Sequence, residues 1–580
     1  MDIVKGIAVS PGVVIGEAVI LDRGAHHLKR RYVEPGEADG ELQVLETAFK
    51  ASLEEVRTLR RAATEQLGDE TAAIFDWHMG VLGKDRHLRQ QIEDLIREER
   101  MSAAAAVSQV MHGYKERFLK MKDPIFVERT EDVRDVEQRL IRNLLGDQAE
   151  VETRFEKPSI ILSYDLTPSQ TAQMNTDYVV GLATDVGGLT SHMAIIAHSL
   201  HIPAVVGLGS VTSKVKAGDT VIIDGTHGLV ICRPNESTLA RYREEAEKFR
   251  VFELSLKQLR DLPAVTRDGV EVSLLGNIEF PSEARTCMEN GADGVGLYRT
   301  EYLYLRGNKE PSEEEHIEAY TTALEACDPK PLTIRTMDLG ADKYGPLRGA
   351  ESERNPFLGL RSIRYCLQNL DLFKTQLRAI LRVSRLGNVR VMFPLIISLM
   401  ELRQAKMALG DAMEDLEEEG LEFNRSIEIG MMIETPAAAL LARQFAKEVD
   451  FFSIGTNDLV QYTLAVDRSN QRVATSYTPS HPAVIRLVRD VLRTAVRMEV
   501  SCGVCGEMAG EPVYTLLLLG LGLRQFSMVP GNIPQIKKLI RSTTVKHAER
   551  VAARALSFDT DRQVRNYLRD ETARLLPEVL

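Results

Sequence analysis

The sequence predicts a multidomain α/β protein: an α/β domain with an inserted helical subdomain, followed by a β/α (TIM-type) barrel. Three features of the 580 residues carry that expectation. Over residues 263–580, eight apolar β-type runs alternate with amphipathic stretches of helical length. Over 22–145, long charged stretches place apolar residues three and four apart. Short apolar runs flank that stretch on both sides, in 1–21 and 146–232.

In chain order, residues 3–20 alternate apolar and small side chains around Pro11-Gly12 and read as strands. ELQVLETAFKASLEEVRTLRRAATEQ, QQIEDLIREER and DVRDVEQRLIRNLLG follow the helical period and form an antiparallel helical unit. SIILSYD and YVVGLAT are strands again; a Gly-Gly turn, a helix and the strands AVVGLG and TVIIDG follow. If the first strands pair with these, the helical unit is an insertion. Residues 233–262 are polar nearly all round, with Glu and Lys or Arg at helical spacings, the pattern of a solvated connector helix. The eight later runs are VEVSLLGNIE, GVGLYRTE, PLTIRTMD, VRVMFPLI, IEIGMMIE, DFFSIGTND, VSCGVCGE and QFSMVP. An open doubly wound sheet has a similar strand count; eight favours the barrel because that number closes.

Lys and Arg number 72 and Asp and Glu 84, a net charge of −12. That balance argues against a nucleic-acid partner and suits a basic protein partner. The N-terminus carries Asp2, Lys5 and a Ser-Pro-Gly turn too early for a signal peptide. The longest apolar run, YTLLLLGLGL, falls short of the ~18 residues a membrane span needs, so no membrane insertion is expected. Six cysteines in a chain this long do not make a disulfide framework, and a cytoplasmic location is the expectation. The one CxxC, Cys502 to Cys505, has no second ligand pair nearby.

In a β/α barrel the C-terminal strand ends converge on one mouth, where active sites lie. Here those ends carry Arg299-Thr300-Glu301, Arg335, Glu434, Asn457-Asp458 and Cys505-Gly506-Glu507. Glu434 and Asp458 are one β/α unit apart, so their carboxylates are expected to be neighbours, a common way to hold Mg2+. Arg299 and Arg335, with Lys343, Arg361 and Arg468 nearby in sequence, supply cations. A guanidinium matches carboxylate and phosphate oxygens two at a time. Together they imply a small, highly anionic ligand bearing phosphate and carboxylate. The competing assignment is rim charges that pair with one another; charges at the ends of at least four strands favour the binding site. Cys505 is as well suited to inert packing as to chemistry.

The stretch TDVGGLTSHMAIIAHSLHIPAVVG, residues 184–207, places a histidine where a helix begins. Thr190 or Ser191 caps that helix, and Pro203 ends it. His192 then lies in the first turn, at the positive dipole end, which keeps an imidazole neutral and nucleophilic. Free N–H groups there, with room left by Gly187-Gly188, would receive an anionic group placed on the ring. The location suits a phosphoryl-carrying histidine, and equally a capping or core residue. At about 100° per residue His198 falls on a different side of the helix, so His192, His198 and His201 do not form a metal triad.

Residues 184–207, together with VDFFSIGTNDLVQYTLAVDR (449–468), GADGVGLYRTEYLY (291–304) and IEIGMMIETPAAA (427–439), closely resemble enzyme I of the bacterial phosphoenolpyruvate:sugar phosphotransferase system. KGIAVSPGVVIGEA, RTEDVRDVEQRLIRNLLG and NPFLGLRSIR fit as well, so the resemblance runs almost the whole length. It implies that phosphoenolpyruvate, with Mg2+, phosphorylates a histidine that passes the group to the small carrier protein HPr. His192 matches the phosphorylated histidine, and Thr171 the threonine bonded to its other ring nitrogen. Glu434 and Asp458 match the magnesium ligands. Arg299, Arg335, Arg361, Asn457 and Arg468 match residues gripping phosphoenolpyruvate, and Cys505 the cysteine that protonates the enolate. The resemblance makes 1–21 with 146–232 the phosphohistidine domain, 22–145 the HPr-binding subdomain, and 263–580 the phosphoenolpyruvate-binding and homodimerisation barrel. Nucleophile and donor then lie in different domains, which calls for a swivel at the connector ends, around Arg233 and Pro263.

Two departures stand out. The family shows GGRTSH where this chain has Leu189 in place of the arginine, removing a cation beside the histidine. In FDWHMGVLGKDRHL (75–88) the family's acidic docking run is diluted by Lys84, Arg86 and His87, leaving open a sugar-branch or nitrogen-branch carrier. The nitrogen-branch enzymes carry an extra N-terminal sensory domain, which this chain is expected to lack. Pyruvate phosphate dikinase and phosphoenolpyruvate synthase share the mobile histidine and barrel but need an ATP-binding domain, and no GxxxxGK[ST] is present. A phosphoenolpyruvate-sensing regulatory protein is the remaining alternative, favoured only by Leu189.

Overall fold

The structure is a computed structural model describing residues 1–22, 32–33, 36–67, 74–120, 124–145, 157–166, 178–188, 197, 202–305, 310–339, 355–468, 470 and 472–577. The chain divides into two compact units, Met1–Arg250 and Val251–Leu580.

Eight strands of the first unit form one mixed sheet. β1 (Asp2–Lys5), β2 (Ile7–Ser10) and β3 (Val13–Asp22) come from the start of the chain. β4 (Ser159–Ser163), β5 (Val179–Thr184), β6 (Ala204–Val206), β7 (Thr220–Asp224) and β8 (Leu229–Cys232) follow the helices. Their order is β1-β8-β7-β3-β4-β5-β6-β2. β3 to β6 run parallel, and every other pairing is antiparallel. Ile161, Leu182 and Val206 pack on one face and Ile160, Ala183 and Val205 on the other. Burial on both faces is why β4 to β6 read as continuous apolar runs.

Between β3 and β4, among the described residues, five helices enclose a core of their own: Ala38–Leu67, Ile74–Lys84, Arg86–Glu98, Ala103–Lys120 and Pro124–Leu145. Leu88, Ile92 and Ile96, four apart, face Val133, Val136 and Leu140 in that core. Asp85 starts its helix by accepting a bond from the Leu88 N–H at 2.9 Å. Arg134 ties the last of these helices to the loop after β4, pairing with Asp165 at 3.3 Å and lying over the Tyr164 ring.

The helix Glu236–Lys257 bears the expected surface ion pairs, Lys248 to Glu244 at 2.8 Å and Arg250 to Glu247 at 2.8 Å. It departs from a purely solvated connector, because two aromatics are buried. Tyr242 packs on Ile222 and Ile231 of β7 and β8, whereas Phe252, on the far side of the division, lies under Lys538 at 4.2 Å. Leu239 joins Tyr242 on that sheet and Phe249 is half-buried, but charged residues outnumber these apolar ones along the helix, so the polar pattern hid the anchors.

In the second unit β9 (Ser273–Ile278), β10 (Val295–Tyr298), β11 (Leu332–Arg335), β12 (Val389–Phe393), β13 (Glu428–Ile433), β14 (Phe451–Ile454), β15 (Ser501–Val504) and β16 (Gln525–Met528) close into a parallel barrel. The last pairing, Phe526 opposite Leu274, joins β16 to β9. Alternate side chains point outward into the helices, as Ile334, Phe393 and Ile454 do, or inward. Inside, Leu297, Met392, Met432, Phe451 and Cys505 form a separate apolar cluster. Two outer helices start with reciprocal capping boxes, Ser312 with Glu315 and Ser398 with Glu401. YTLLLLGLGL contributes Leu516 to Leu519, all buried in the helix Pro512–Gly520. No described helix is long and apolar enough to cross a membrane.

Candidate active site

Strand parity builds the barrel mouth. Leu297 and Met432 belong to the inner cluster, so Arg299 and Glu434, two residues further along β10 and β13, point the same way above it. Arg335 joins them from β11, its Nη1 3.8 Å from the Met432 sulfur. Cys505 itself belongs to the inner cluster. Cys502 lies an odd number of residues away and packs against the outer core instead. The CxxC therefore runs along an extended segment of roughly 10 Å with its thiols on opposite faces, unfit for a disulfide or a shared metal.

At the centre lies a carboxylate that sequence reasoning did not assign. Asp338 accepts from Arg335 Nη1 at 2.9 Å and from Arg361 Nη2 at 3.0 Å. Arg335 Nη2 also meets Glu301 Oε1 at 2.9 Å, and that oxygen takes the Asp338 backbone N–H at 2.9 Å. Burial pushes the Asp338 carboxyl up, but Arg361 and Arg335 outweigh it and hold the acid below its usual range. For both arginines burial opposes the charge, and the neighbouring acids prevail, Glu301 and Asp338 for Arg335 and Asp338 and Asp458 for Arg361. Arg361 Nη1 is 3.9 Å from Asp458 Oδ1 and donates at 3.3 Å to Tyr462 OH, which donates to the Phe357 carbonyl at 2.5 Å.

Glu434 is the odd acid out. Its Oε1 takes the Leu395 N–H at 2.6 Å, while Oε2 is buried without a partner. Leu395 holds that N–H from a left-handed conformation, φ 53°, uncommon for leucine. Burial, then Asp458 and Asp338, pushes the Glu434 carboxyl up to about 8. Gly455 makes room for it: a Cβ there would come within 2.8 Å of Glu434 Oε2.

A second cluster forms the rim. Asn457 and Glu507 exchange bonds, Asn457 Nδ2 to Oε1 at 3.0 Å and the Glu507 N–H to Asn457 Oδ1 at 2.9 Å, and Arg468 Nη1 lies 3.5 Å from the same carboxylate. Arg299 pairs with Glu279 at 2.6 Å. The Cys505 thiol is pushed up to about 11, mainly by burial, so it is protonated at neutral pH. Among the described residues no three His, Cys, Asp or Glu side chains are grouped to hold a metal ion.

The structure therefore brings Arg335, Arg361, Glu434 and Asp458 together, and sets Asn457, Arg468 and Arg299 in pairs around them. Lys343, Thr171, Leu189, His192, His198 and His201 lie outside the described residues. The turn leading to His192 is described: Gly187 takes φ 113°, where glycine is favoured, and nothing lies within 4 Å of a Cβ built at Gly188. Beside it Asp185 is buried, bonded to Val211 N and Thr212 Oγ1 and, at 3.3 Å, to Thr212 N. Asp338, Glu279 and Tyr462 were missed as site residues. Asp338 had one signal, its place three residues beyond Arg335, and Glu279 another, its place directly after β9 where the run VEVSLLGNIE ends, while Tyr462 carries none that separates it from surface side chains.

Three family models match in order: the N-terminal domain of phosphoenolpyruvate-utilising enzymes over 5–129, their mobile domain over 155–228, and their phosphoenolpyruvate-binding domain over 254–545. A phosphoenolpyruvate-protein phosphotransferase of Staphylococcus carnosus is 42% identical over 569 residues, 98% of this chain and 99% of its own. That of Geobacillus stearothermophilus is 43% identical over 566 residues, 98% of this chain and 97% of its own. A solution structure of an enzyme I protein, 39% identical, covers 43% of this chain and 99% of its own with a TM-score of 0.37. The chain belongs to the phosphoenolpyruvate-protein phosphotransferase family, enzyme I, and its chemistry is phosphoenolpyruvate-dependent phosphoryl transfer.

Proposed function

We propose that the protein moves the phosphoryl group of phosphoenolpyruvate onto His192 and from there to an HPr-like carrier, the first step of the sugar phosphotransferase system. The convergence of Arg335, Arg361, Glu434 and Asp458 at one barrel mouth is the observation that carries this reading. Arg335 and Arg361 grip phosphate and carboxylate oxygens of the substrate, helped at the rim by Arg299, Asn457 and Arg468; Lys343 is a further proposed substrate-binding cation. Their present partners, Asp338 and Glu301, fix where those guanidiniums point, so the cradle is formed before the substrate arrives.

The residues present fit Mg2+. Two acids, Glu434 and Asp458, stand close enough that Asp458 raises Glu434, and Glu434 Oε2 is buried with no partner. Two carboxylates with substrate oxygens and water suffice for this cation. When bound, Mg2+ would neutralise charge on the transferring phosphoryl group.

In the transfer, an N–P bond forms at His192 as the P–O bond of phosphoenolpyruvate breaks, leaving the enolate of pyruvate. Thr171 holds the other ring nitrogen and fixes the tautomer. The Cys505 thiol gives its proton to the enolate carbon, and pyruvate leaves. A thiol held protonated by burial is suited to that task. The swivel that carries His192 between donor and acceptor is assigned to the connector ends near Arg233, which has φ 50°, and Pro263. A cytoplasmic homodimer joined through its barrels completes the reading.

Incubation with labelled phosphoenolpyruvate, Mg2+ and an HPr-like carrier, without ATP, tests it. Label is expected in the carrier. An unlabelled protein would instead support phosphoenolpyruvate sensing without turnover, and a requirement for ATP would support a dikinase.

A further inference from the structure

On the outer wall of the barrel unit, the C-terminal helix Asp561–Leu575 and the start of the helix Pro512–Gly520 border an open cavity of about 570 Å3. Its lining is Val513, Asp561, Arg562, Arg565, Asn566 and Arg569. Arg562, Arg565 and Arg569 are exposed and, at spacings of three and four, share one helix face. Among the described residues none of the three has an ion pair within 4.0 Å, whereas Arg378, Arg382, Arg390, Arg403 and Arg425 of the same unit are paired. In a chain of net charge −12, three guanidiniums without an ion pair border this one concavity against a single acid, Asp561. The volume falls within the ~300–1,000 Å3 usual for small-ligand sites, and the planar fork of arginine is matched by phosphate oxygens.

We propose that this groove binds a small, soluble, phosphate-bearing anion, and that its occupancy is communicated to the barrel mouth. A concave, ligand-sized site on an acidic protein fits a small molecule better than an extended polyanion, which the net charge repels. The route to the mouth is short. Val513 lies in the first turn of the helix Pro512–Gly520, which Glu511 precedes, and the Glu511 N–H donates to the Glu507 carbonyl at 3.2 Å. Glu507 in turn holds Asn457 and Arg468 at the rim. An anion held by the arginines against Val513 settles the start of that helix, and the loop Cys505–Glu511 responds. This inference stands on the groove and does not require the phosphotransfer reading.

Hydrogen exchange of the full chain, with pyrophosphate as the probe and sodium sulfate at equal ionic strength as the control, decides the matter. Pyrophosphate is expected to slow exchange saturably in peptides covering 558–572 and 505–511. In Arg562→Gln/Arg565→Gln/Arg569→Gln the half-saturating concentration should rise at least tenfold for those peptides, while Arg565→Lys keeps most of the protection. All three side chains are exposed and none takes part in the mouth pairs, so the triple variant should transfer phosphoryl groups at the wild-type rate without added anion. Protection that persists in the triple variant, that sulfate reproduces at the same concentrations, or that is absent from 558–572 overturns the proposal. Protection of 558–572 alone overturns the communication to the mouth.

Discussion

Asp338 decides the electrostatics of the mouth by serving two guanidiniums with its two oxygens, at 2.9 Å and 3.0 Å. Both pairs are almost wholly out of water, so removing the shared charge strands two cations rather than one. Breaking a buried pair in this way costs roughly 3–5 kcal/mol. Asp338→Asn is expected to lower the unfolding free energy of the barrel by about that much in a urea titration; an unchanged midpoint contradicts the wiring. Cys505 offers the complementary test, since its effect should be chemical and not structural. Cys505→Ala is expected to preserve stability while slowing pyruvate formation by about a hundredfold or more. Wild-type pyruvate release in that variant would leave the thiol a packing residue.

A buried relay sets the end of β11, on which Arg335 sits. Gln376, on the helix Leu370–Ser384, takes the Met337 N–H at 3.0 Å and donates at 3.0 Å to both Thr300 Oγ1 and Tyr320 OH. Thr300 then donates to the Arg335 carbonyl at 3.0 Å, and Tyr320 to His316 Nδ1 at 2.9 Å. Replacing Gln376 by Leu orphans several buried groups at about 1–3 kcal/mol each, so a loss of roughly 3 kcal/mol is expected, with weakened phosphoenolpyruvate binding. The relay also needs a neutral His316, which burial holds at about 4 against 6.5 for a free histidine. Below pH 6.5 the unfolded chain takes up a proton that the folded barrel refuses. Stability is therefore complete above that pH and falls by roughly 3 kcal/mol as pH drops toward 4. His316→Gln, which keeps an acceptor for Tyr320, should flatten that slope; an unaltered slope contradicts this source. None of the relay was visible in the sequence. Strand-end chemistry was, because period-two alternation fixes which side of β10, β11 and β13 faces the mouth. The partners Tyr462 and Gln376 come from helices, where spacing does not say which distant strand a side chain will meet.

At the scale of the whole molecule, the division at Arg250 and Val251 predicts two unfolding steps. Scanning calorimetry should show both, with phosphoenolpyruvate and Mg2+ raising only one. At about a hundredfold excess over the dissociation constant the gain is about 2.7 kcal/mol. Glu434→Gln should remove that shift, and a ligand shift of both transitions together would contradict independent units. Eight alternating runs made the closed barrel legible because that number of strands is complete without edges. The buried aromatics of the connector were not legible, since charged residues outnumber them along the helix. The role given to His192 rests on one imidazole accepting a phosphoryl group, and phosphopeptide mapping after labelling with phosphoenolpyruvate tests it most directly. The expected result is a single acid-labile phosphate on the peptide containing His192, absent from His192→Ala. Label on any other residue, or undiminished labelling of His192→Ala, would contradict it.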